Sequence, residues 1–245
     1  MKGAVQNIEL SIIVFAHNEA DNVQPVLEEL MLWLSQHESR SEVIFVDDGS
    51  DDQSEARARE TLASFPHRII RHTQRAGIGA ALKSGVDLAR GRWVTFLPAD
   101  GQIPPAAIGI LRAAQRETQA EVVFSVYPER QGGAHRVVMS NAVRSLIWLL
   151  HGVRVRSDGP YLFPRSLFRR EELPSDSFFL NFEFPIRVRL AGLPSTTVEV
   201  ECRPRRAGHS KSARLDVIAR VSKELVALRL RRWEEQRAFW QGTPH

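Results

Sequence analysis

The sequence predicts an α/β fold with a mainly parallel sheet, because short apolar runs alternate with helical runs along its N-terminal half. Such alternation favours right-handed crossovers, with helices on both faces of the sheet. The 245-residue chain is 43% hydrophobic and 25% charged, which is an ordinary globular composition. It contains no repeat, low-complexity tract or clear linker, so we expect a single domain.

Strands and helices are expected to alternate from residue 10 to residue 125. The first strand covers residues 10–15, and the helix at residues 23–34 has a broad apolar face that includes Val26, Leu27 and Leu30. The later strands are expected at residues 42–46, 68–71, 93–97 and 121–125, and the later helices at residues 54–62, 79–89 and 106–115. Pro104 and Pro105 suit the start of the last helix.

Polar residues gather where three of the predicted strands end. They are residues 17–19 after the first strand, residues 47–52 after the second, and Asp100 with Gln102 after the fourth. Each turn also has a purely structural explanation, since Asp, Asn, Ser and Gly are favoured in β-turns and helix caps. Their coincidence at one sheet edge favours a binding site, because ligands of parallel sheets bind at the carboxyl ends of the strands.

Composition and motifs exclude several classes of protein. No G-x-G-x-x-G follows the first strand and no P-loop motif is present, which argues against dinucleotide and P-loop sites. The single cysteine, Cys202, excludes an internal disulfide and a multi-cysteine metal site. The N-terminus is polar and no apolar run approaches the ~20 residues of a membrane span, so a cytoplasmic protein is expected.

Net charge indicates an anionic partner. The formal charge is +4 and the isoelectric point is about 9.7, which suits a nucleotide, a phospholipid or a nucleic acid. No basic-aromatic stripe or reader motif is present, so nucleic acid is not an expected partner.

Four segments together resemble the family-2 glycosyltransferases of the GT-A fold: SIIVFAHNEADNV, VIFVDDGSDDQS, RAGIGAALKSGVDLARGRWVTFLPADGQIPP and RRAGHSK. The resemblance is strongest to dolichol- and polyprenyl-phosphate mannosyl- and glucosyltransferases. It implies a Rossmann-like, mainly parallel sheet flanked by helices, with C-terminal amphipathic helices. One GT-A domain would cover residues 1–245, with a nucleotide-sugar half at about 8–130, an acceptor-side half at 131–212, and a C-terminal helix and tail at 213–245. A GDP- or UDP-linked sugar donor, Mg²⁺ or Mn²⁺, and inversion at the anomeric carbon are also implied.

The resemblance also implies roles for individual residues on the donor side. The nucleotide pocket would include Phe15, His17 and Glu19, with Val46 and with Asp48 against the base. The family's Asp-Ala-Asp turn falls on Pro98, Ala99 and Asp100, so that Asp100 would reach the metal on the donor diphosphate. Gln102 matches a family glutamine near the same diphosphate and is the second candidate metal ligand. Arg205 and Lys211 match a family loop that closes over the diphosphate.

Two departures from the family pattern concern the donor phosphates. Pro98 replaces the first acid of the turn, and Val126 stands where the family usually has an arginine. Proline offers no side-chain ligand, so one carboxylate would hold the metal with diphosphate oxygens and waters. An unusual donor, compensation by nearby basic residues such as Arg130, or reduced activity would each explain these losses, and a nucleotide-binding relative without turnover remains an alternative.

On the acceptor side, the resemblance assigns contacts with a lipid phosphate to Arg136 and Ser140, which share a helix face at i, i+4 spacing. Asp100, Arg136, Ser140, Arg205 and Lys211 would form the catalytic set of this hexosyltransferase. A phosphate acceptor is already ionised, whereas a soluble, polysaccharide or natural-product hydroxyl would need a general base. Glu183 and Asp158 are the candidate bases, although Glu183 would alternatively orient the acceptor loop.

Two segments combine apolar stripes with basic flanks and suit peripheral contact with a membrane. The first, residues 140–156, contains Ile147, Trp148 and Leu149, and the second, residues 213–233, contains Val221 and Leu225. The same stripes would alternatively pack on the sheet or on a second subunit of a homodimer.

Overall fold

The computed structural model describes residues 7–127, 133–204 and 215–230. Its main sheet has the strand order β3-β2-β1-β4-β6, and its first four strands in sequence are parallel. These strands are β1 (Leu10–Ala16), β2 (Ser41–Asp47), β3 (His67–Arg71) and β4 (Trp93–Pro98), and the two-residue β6 (Phe163–Pro164) adds an antiparallel edge. The predicted mainly parallel α/β sheet is therefore confirmed.

Helices cover both faces of this sheet, as alternate side chains of its strands require. The helices that alternate with the strands are α1 (Ala20–His37), α2 (Ser54–Thr61), α3 (Ile78–Leu88) and α4 (Ala106–Thr118). Ile12 belongs to one buried cluster, with side chains of α1 and α4. Ile13, the next residue, belongs to another cluster, with side chains of α3 and of α6 (Leu180–Leu190).

The fifth predicted strand does not join the main sheet. It forms β5 (Val122–Val126), which pairs in parallel with β7 (Ser195–Glu199) in a separate two-stranded sheet. The sequence analysis missed β6 and β7. The first is too short to show a period, and the second has the polar sequence STTVE, whose residues are half-buried or exposed.

The two apolar stripes expected at a membrane or a subunit interface pack largely within the protein. Helices α5 (Gly133–His151), α6 and α7 (Leu215–Leu230) share a third cluster that buries Ile147, Val221 and Leu225. The side chains of Trp148 and Leu149 stay outside it, with exposed fractions of 55% and 74%. Within the described residues, none of the helices has the length and apolar character that a bilayer-spanning helix requires.

Candidate active site

A cavity of about 950 Å³ opens at the carboxyl ends of β1 and β4, the edge that the sequence predicts. Register explains the position, because Ala16 pairs with Asp47 and Phe15 with Pro98, so neighbouring strands end together. Four parts of the chain line the cavity: the ends of β1 and β4 (Phe15, Ala16, His17, Glu19, Pro98, Ala99, Asp100), the entry to α3 (Arg75, Ala76, Gly77, Ile78), residues 174–178, and one side of α7 (Arg220, Val221, Glu224).

The turns after β1 and β2 are joined by direct hydrogen bonds. The backbone N–H of Asn18 donates to Ser50 Oγ at 3.0 Å, and Asn18 Oδ1 accepts from the Asp51 N–H at 2.8 Å. His17 Nδ1 donates to the Asp48 carbonyl at 3.0 Å, and Glu19 accepts from Asn22 Nδ2 at 2.6 Å. The turn chemistry expected of these residues therefore holds His17 and Glu19 against the cavity.

Asp48 is a buried carboxylate that organises the entry to α3. Its Oδ1 accepts from His72 Nδ1 and from the Ala76 N–H, both at 2.8 Å, and its Oδ2 accepts from the Gly77 N–H at 2.9 Å. Burial by itself would raise the pKa of Asp48, but these hydrogen bonds outweigh it and hold the pKa below its ordinary value of 3.8. Asp48 lies behind the cavity wall, and the fully buried Val46 does not line the cavity either. Their predicted contacts with a nucleotide stay predictions.

Asp100 lines the cavity at the end of β4. The Ala99 N–H donates to the Phe15 carbonyl at 3.0 Å, which extends the pairing of β1 and β4 to the turn. Asp100 Oδ1 accepts from the Gln102 N–H at 3.1 Å, and the residue is only 6% exposed. Burial, with the charges of Cys202, Asp100 and Asp158, raises the pKa of the Tyr127 hydroxyl well above its usual range, so this neighbour stays neutral.

Gln102 connects the acidic turn to the chain after β7. The Gln102 side-chain Nε2 donates to the Arg203 backbone carbonyl at 3.4 Å, and the Gln102 backbone carbonyl accepts from the Arg203 N–H at 2.7 Å. Gln102 does not line the cavity, and its role as a metal ligand stays a prediction. Arg205 and Lys211 follow this connection but lie outside the described residues, as does Arg130.

Of the four residues expected on the acceptor side, the structure describes the side chains of two, Glu183 and Asp158. Arg136 and Ser140 fall in α5, and their side chains lie outside the description. Glu183 is fully buried on α6, where Oε1 accepts from Arg187 Nη2 at 2.9 Å and Oε2 from the Ser175 N–H at 3.3 Å. Asp158 accepts from Arg144 Nη2 at 2.6 Å. Neither carboxylate lines the cavity, and the geometry of Glu183 favours the orienting role over that of a base.

Comparison with protein families identifies the group to which this architecture belongs. The model of glycosyl transferase family 2 matches residues 11–182, which include both turns and the cavity residues of β1 and β4. The chain belongs to glycosyl transferase family 2. The predicted family resemblance is confirmed by this match.

Similar proteins include transferases that are named for polyprenyl phosphates. The chain is 29% identical over 158 residues to dodecaprenyl-phosphate galacturonate synthase of Rhizobium johnstonii, a match that covers 63% of this chain and 47% of that protein. It is 28% identical over 216 residues to undecaprenyl-phosphate 4-deoxy-4-formamido-L-arabinose transferase of Proteus mirabilis, covering 86% and 64%. The chain thus spans about half to two thirds of the length of these relatives.

A solved structure of the same fold covers almost the whole chain. Glucosyl-3-phosphoglycerate synthase from Mycobacterium tuberculosis, crystallised with Mn²⁺, uridine diphosphate and phosphoglyceric acid, superposes with a TM-score of 0.68. The sequences are 22% identical, and the match covers 97% of this chain and 80% of that one. This likeness confirms the GT-A-like fold.

The side chains of the cavity would suit a divalent cation only together with oxygen atoms from a bound molecule. Among the described residues, no group of three or more His, Cys, Asp and Glu side chains is placed to hold a metal ion. Asp100 offers hard carboxylate oxygens, which suit Mg²⁺ or Mn²⁺, and Pro98 beside it offers none. A divalent ion here would need oxygen ligands from a diphosphate and from water, as the sequence analysis expected.

Residues 174–178 and α7 contribute to the site in ways that the sequence analysis missed. Lys83 is buried on α3, and its Nζ donates to Asp176 Oδ1 at 2.7 Å. Ser177 Oγ donates to Glu224 of α7, with distances of 3.0 and 2.9 Å to the two carboxylate oxygens. The sequence signal for this contact was Lys83 itself, which lies among small and apolar residues of α3. A buried lysine requires an acidic partner, so an acidic residue from another part of the chain could have been expected.

We expect Asp48→Asn to reduce the free energy of unfolding by about 1.5–3 kcal/mol near neutral pH, since hydrogen bonds to a buried charge are lost. The folded-state pKa of Asp48 lies below the unfolded-state value, so its ionised form stabilises the fold above that unfolded value. This contribution is lost as pH falls through the folded-state pKa. Urea unfolding of both proteins between pH 3 and 7 measures the difference, which should shrink in acid.

Asp51→Asn is the matched control, because Asp51 is an exposed carboxylate of the same turn. It should change stability by less than about 0.5 kcal/mol. A difference between wild type and Asp48→Asn that is independent of pH would contradict the role of the Asp48 charge.

Proposed function

We propose that the protein is an inverting glycosyltransferase that moves a sugar from a GDP- or UDP-linked donor to a polyprenyl phosphate at the cytoplasmic face of the membrane. The observation that carries this proposal is the match of 86% of the chain to a transferase named for undecaprenyl phosphate. The relative named for dodecaprenyl phosphate supports the same acceptor class.

The cavity at the ends of β1 and β4 would hold the donor. Its volume of about 950 Å³ is large enough for a nucleotide sugar. Phe15, His17 and Asp100 line the cavity; the two rings would pack on the base or ribose, and Asp100 would hold a metal-bound diphosphate. A bound Mg²⁺ or Mn²⁺ would neutralise charge on the departing nucleoside diphosphate. Such metal use is supported by the structural neighbour, which was crystallised with Mn²⁺ and uridine diphosphate.

An ionised phosphate as acceptor agrees with the positions of the two candidate bases, and the carboxylates of Glu19, Asp176 and Glu224, which do line the cavity, are hydrogen-bonded within the protein. Glu183 is paired with Arg187 and Asp158 with Arg144, and neither side chain lines the cavity. A hydroxyl acceptor would need a base within hydrogen-bond reach, whereas a phosphate oxygen attacks the anomeric carbon without one. Arg136 and Ser140 would bind this phosphate from α5.

Peripheral contact with the membrane would use the outer side of α5. Trp148 and Leu149 are exposed there, whereas Val143 and Ile147 of the same helix are buried. Residues 141–157 contain no acidic residue, and Arg154 and Arg156 are exposed. An apolar surface with a tryptophan and basic neighbours suits the interface of an anionic bilayer.

Asp100→Asn should abolish metal-dependent binding of the donor nucleotide without unfolding the protein, because it removes the one carboxylate of the turn. Calorimetric titration with UDP and GDP, with and without Mn²⁺, measures the effect. Asp51→Asn removes an exposed carboxylate outside the cavity and should bind as wild type does. Unchanged affinity and metal dependence in Asp100→Asn would reject the metal role. If wild type binds the nucleotide but shows no turnover in an activity assay, the alternative of a nucleotide-binding protein without transferase activity is favoured.

Arg136→Ala should lower kcat/KM for a short polyprenyl phosphate about ten- to a hundredfold, since a charge-assisted contact with phosphate is worth about 1.5–3 kcal/mol. Donor affinity should barely change. Glu183→Gln should reduce stability by up to about 3–5 kcal/mol, because Arg187 loses its buried partner, yet leave the activity of the folded enzyme nearly intact. A neutral Arg136→Ala with an inactive but folded Glu183→Gln would favour a hydroxyl acceptor instead.

Replacing Trp148 and Leu149 together by serine should reduce binding to phosphatidylglycerol vesicles, because the apolar contact is lost. Co-sedimentation at low and high salt measures it, with pure phosphatidylcholine vesicles as the uncharged comparison. Leu32→Ser is the control, since Leu32 is 62% exposed on α1. An equal loss in Leu32→Ser would contradict the assignment, and conversion of a dimer to a monomer by the double variant would identify a subunit interface.

A further inference from the structure

Among the described residues, two guanidinium groups line the cavity beside its carboxylates. The lining carboxylates are all hydrogen-bonded: Glu19 to Asn22, Asp100 to the Gln102 N–H, Asp176 to Lys83 and Glu224 to Ser177. Arg75 and Arg220 have no hydrogen bond or ion pair with any residue that the structure describes. Two cations at a cavity, neither with a partner among the described residues, suit an anionic ligand.

Arg220 lies outside the part of the chain that the family model matches. It belongs to α7 (Leu215–Leu230), whereas the match ends at residue 182. Its neighbours in the cavity lining are residues 174–178 and Glu224. Arg75, by contrast, lies at the entry to α3, directly before Ala76 and Gly77, whose N–H groups donate to Asp48. The two cations therefore come from different walls.

Glu224 of α7 makes its described hydrogen bonds with serines of the segment 174–178 and not with Arg220. The two residues are four positions apart on α7, a spacing at which opposite charges commonly pair. Glu224 instead accepts from Ser177 Oγ, at 2.9 and 3.0 Å, and lies 3.5 Å from Ser175 Oγ. This contact joins α7 to the segment 174–178, and the exposed Arg220 lines the cavity beside them.

We infer that Arg220 binds the phosphate monoester of the acceptor substrate. The inference rests on the proposed function for the existence of an acceptor and adds a binding residue from α7. The donor groups come from β1, β4 and the entry to α3, so a cation on α7 is placed for the second substrate. A guanidinium can donate two parallel hydrogen bonds to phosphate oxygens, which a lysine at this position could not reproduce.

Calorimetric titration with farnesyl phosphate, in the presence of Mn²⁺ and saturating UDP or GDP, tests the inference. Arg220→Ala should weaken farnesyl phosphate binding about ten- to a hundredfold and change nucleotide binding less than twofold. Arg220→Lys should retain part of the affinity. Lys223→Ala is the matched control, because it removes an exposed cation of the same helix that does not line the cavity, and it should bind both ligands as wild type does.

The remaining outcomes separate this inference from the proposed function. Three results would each overturn the role of Arg220. They are equal binding by Arg220→Ala and Lys223→Ala, loss of nucleotide binding in Arg220→Ala, and the failure of wild type to bind either phosphate monoester. Glycerol 3-phosphate is the second probe. If it binds in an Arg220-dependent way and farnesyl phosphate does not, the residue's role stands and the polyprenyl acceptor is rejected. If wild type binds phosphate monoesters through Arg220 but no nucleotide, the glycosyltransferase proposal alone fails.

Discussion

The cavity depends on one buried ion, the carboxylate of Asp48. A carboxylate removed from water must be hydrogen-bonded, and Asp48 meets this requirement with donors from the chain between β3 and α3. Those contacts fix the backbone of residues 76–77, which forms one wall of the cavity. Gly49 permits the close approach: its φ is +67°, and a Cβ there would lie 2.4 Å from the carbonyl carbon of Gln74. A substitution behind the wall would thus alter the site without contacting a ligand.

Helix α3 also holds a second wall of the cavity, residues 174–178. Lys83 and the Ala80 N–H hold Asp176 by its side chain and its carbonyl, and Glu183 and Glu224 hold the serines on either side. Residues 174–178 are thereby attached to α3, α6 and α7 together. Because residues 76–77 and residues 174–178 are both attached to α3, the distance between these two walls of the cavity is set by packing on that helix. The same attachments bring α7, with Arg220, beside a site built otherwise from residues 11–182.

Local pattern was sufficient to predict the strands, the helices and the edge of the sheet where the cavity opens, because their apolar periods and polar ends are features of continuous sequence. His17, Glu19 and Asp100 could be placed at one edge because each follows the carboxyl end of a predicted parallel strand. The partners of the acidic residues could not be predicted in this way. Lys83 and Asp176 are 93 positions apart, and the pairing of Glu183 with Arg187 becomes informative only once both are known to be buried. Likewise, β7 has no apolar period, and its pairing with β5 depends on how the chain returns from α6.

The proline in the acidic turn has a consequence for the order in which ligands bind. Pro98 continues the pairing of β4 with Phe15 and lines the cavity, but it brings no carboxylate to the turn. Asp100 alone competes poorly with water for Mg²⁺, whose dehydration is costly. Under the proposed function, diphosphate oxygens would supply the missing ligands, so cation and donor would each raise the affinity of the other. A relative with two acids in this turn could bind the cation first, whereas this chain would take it up with the nucleotide.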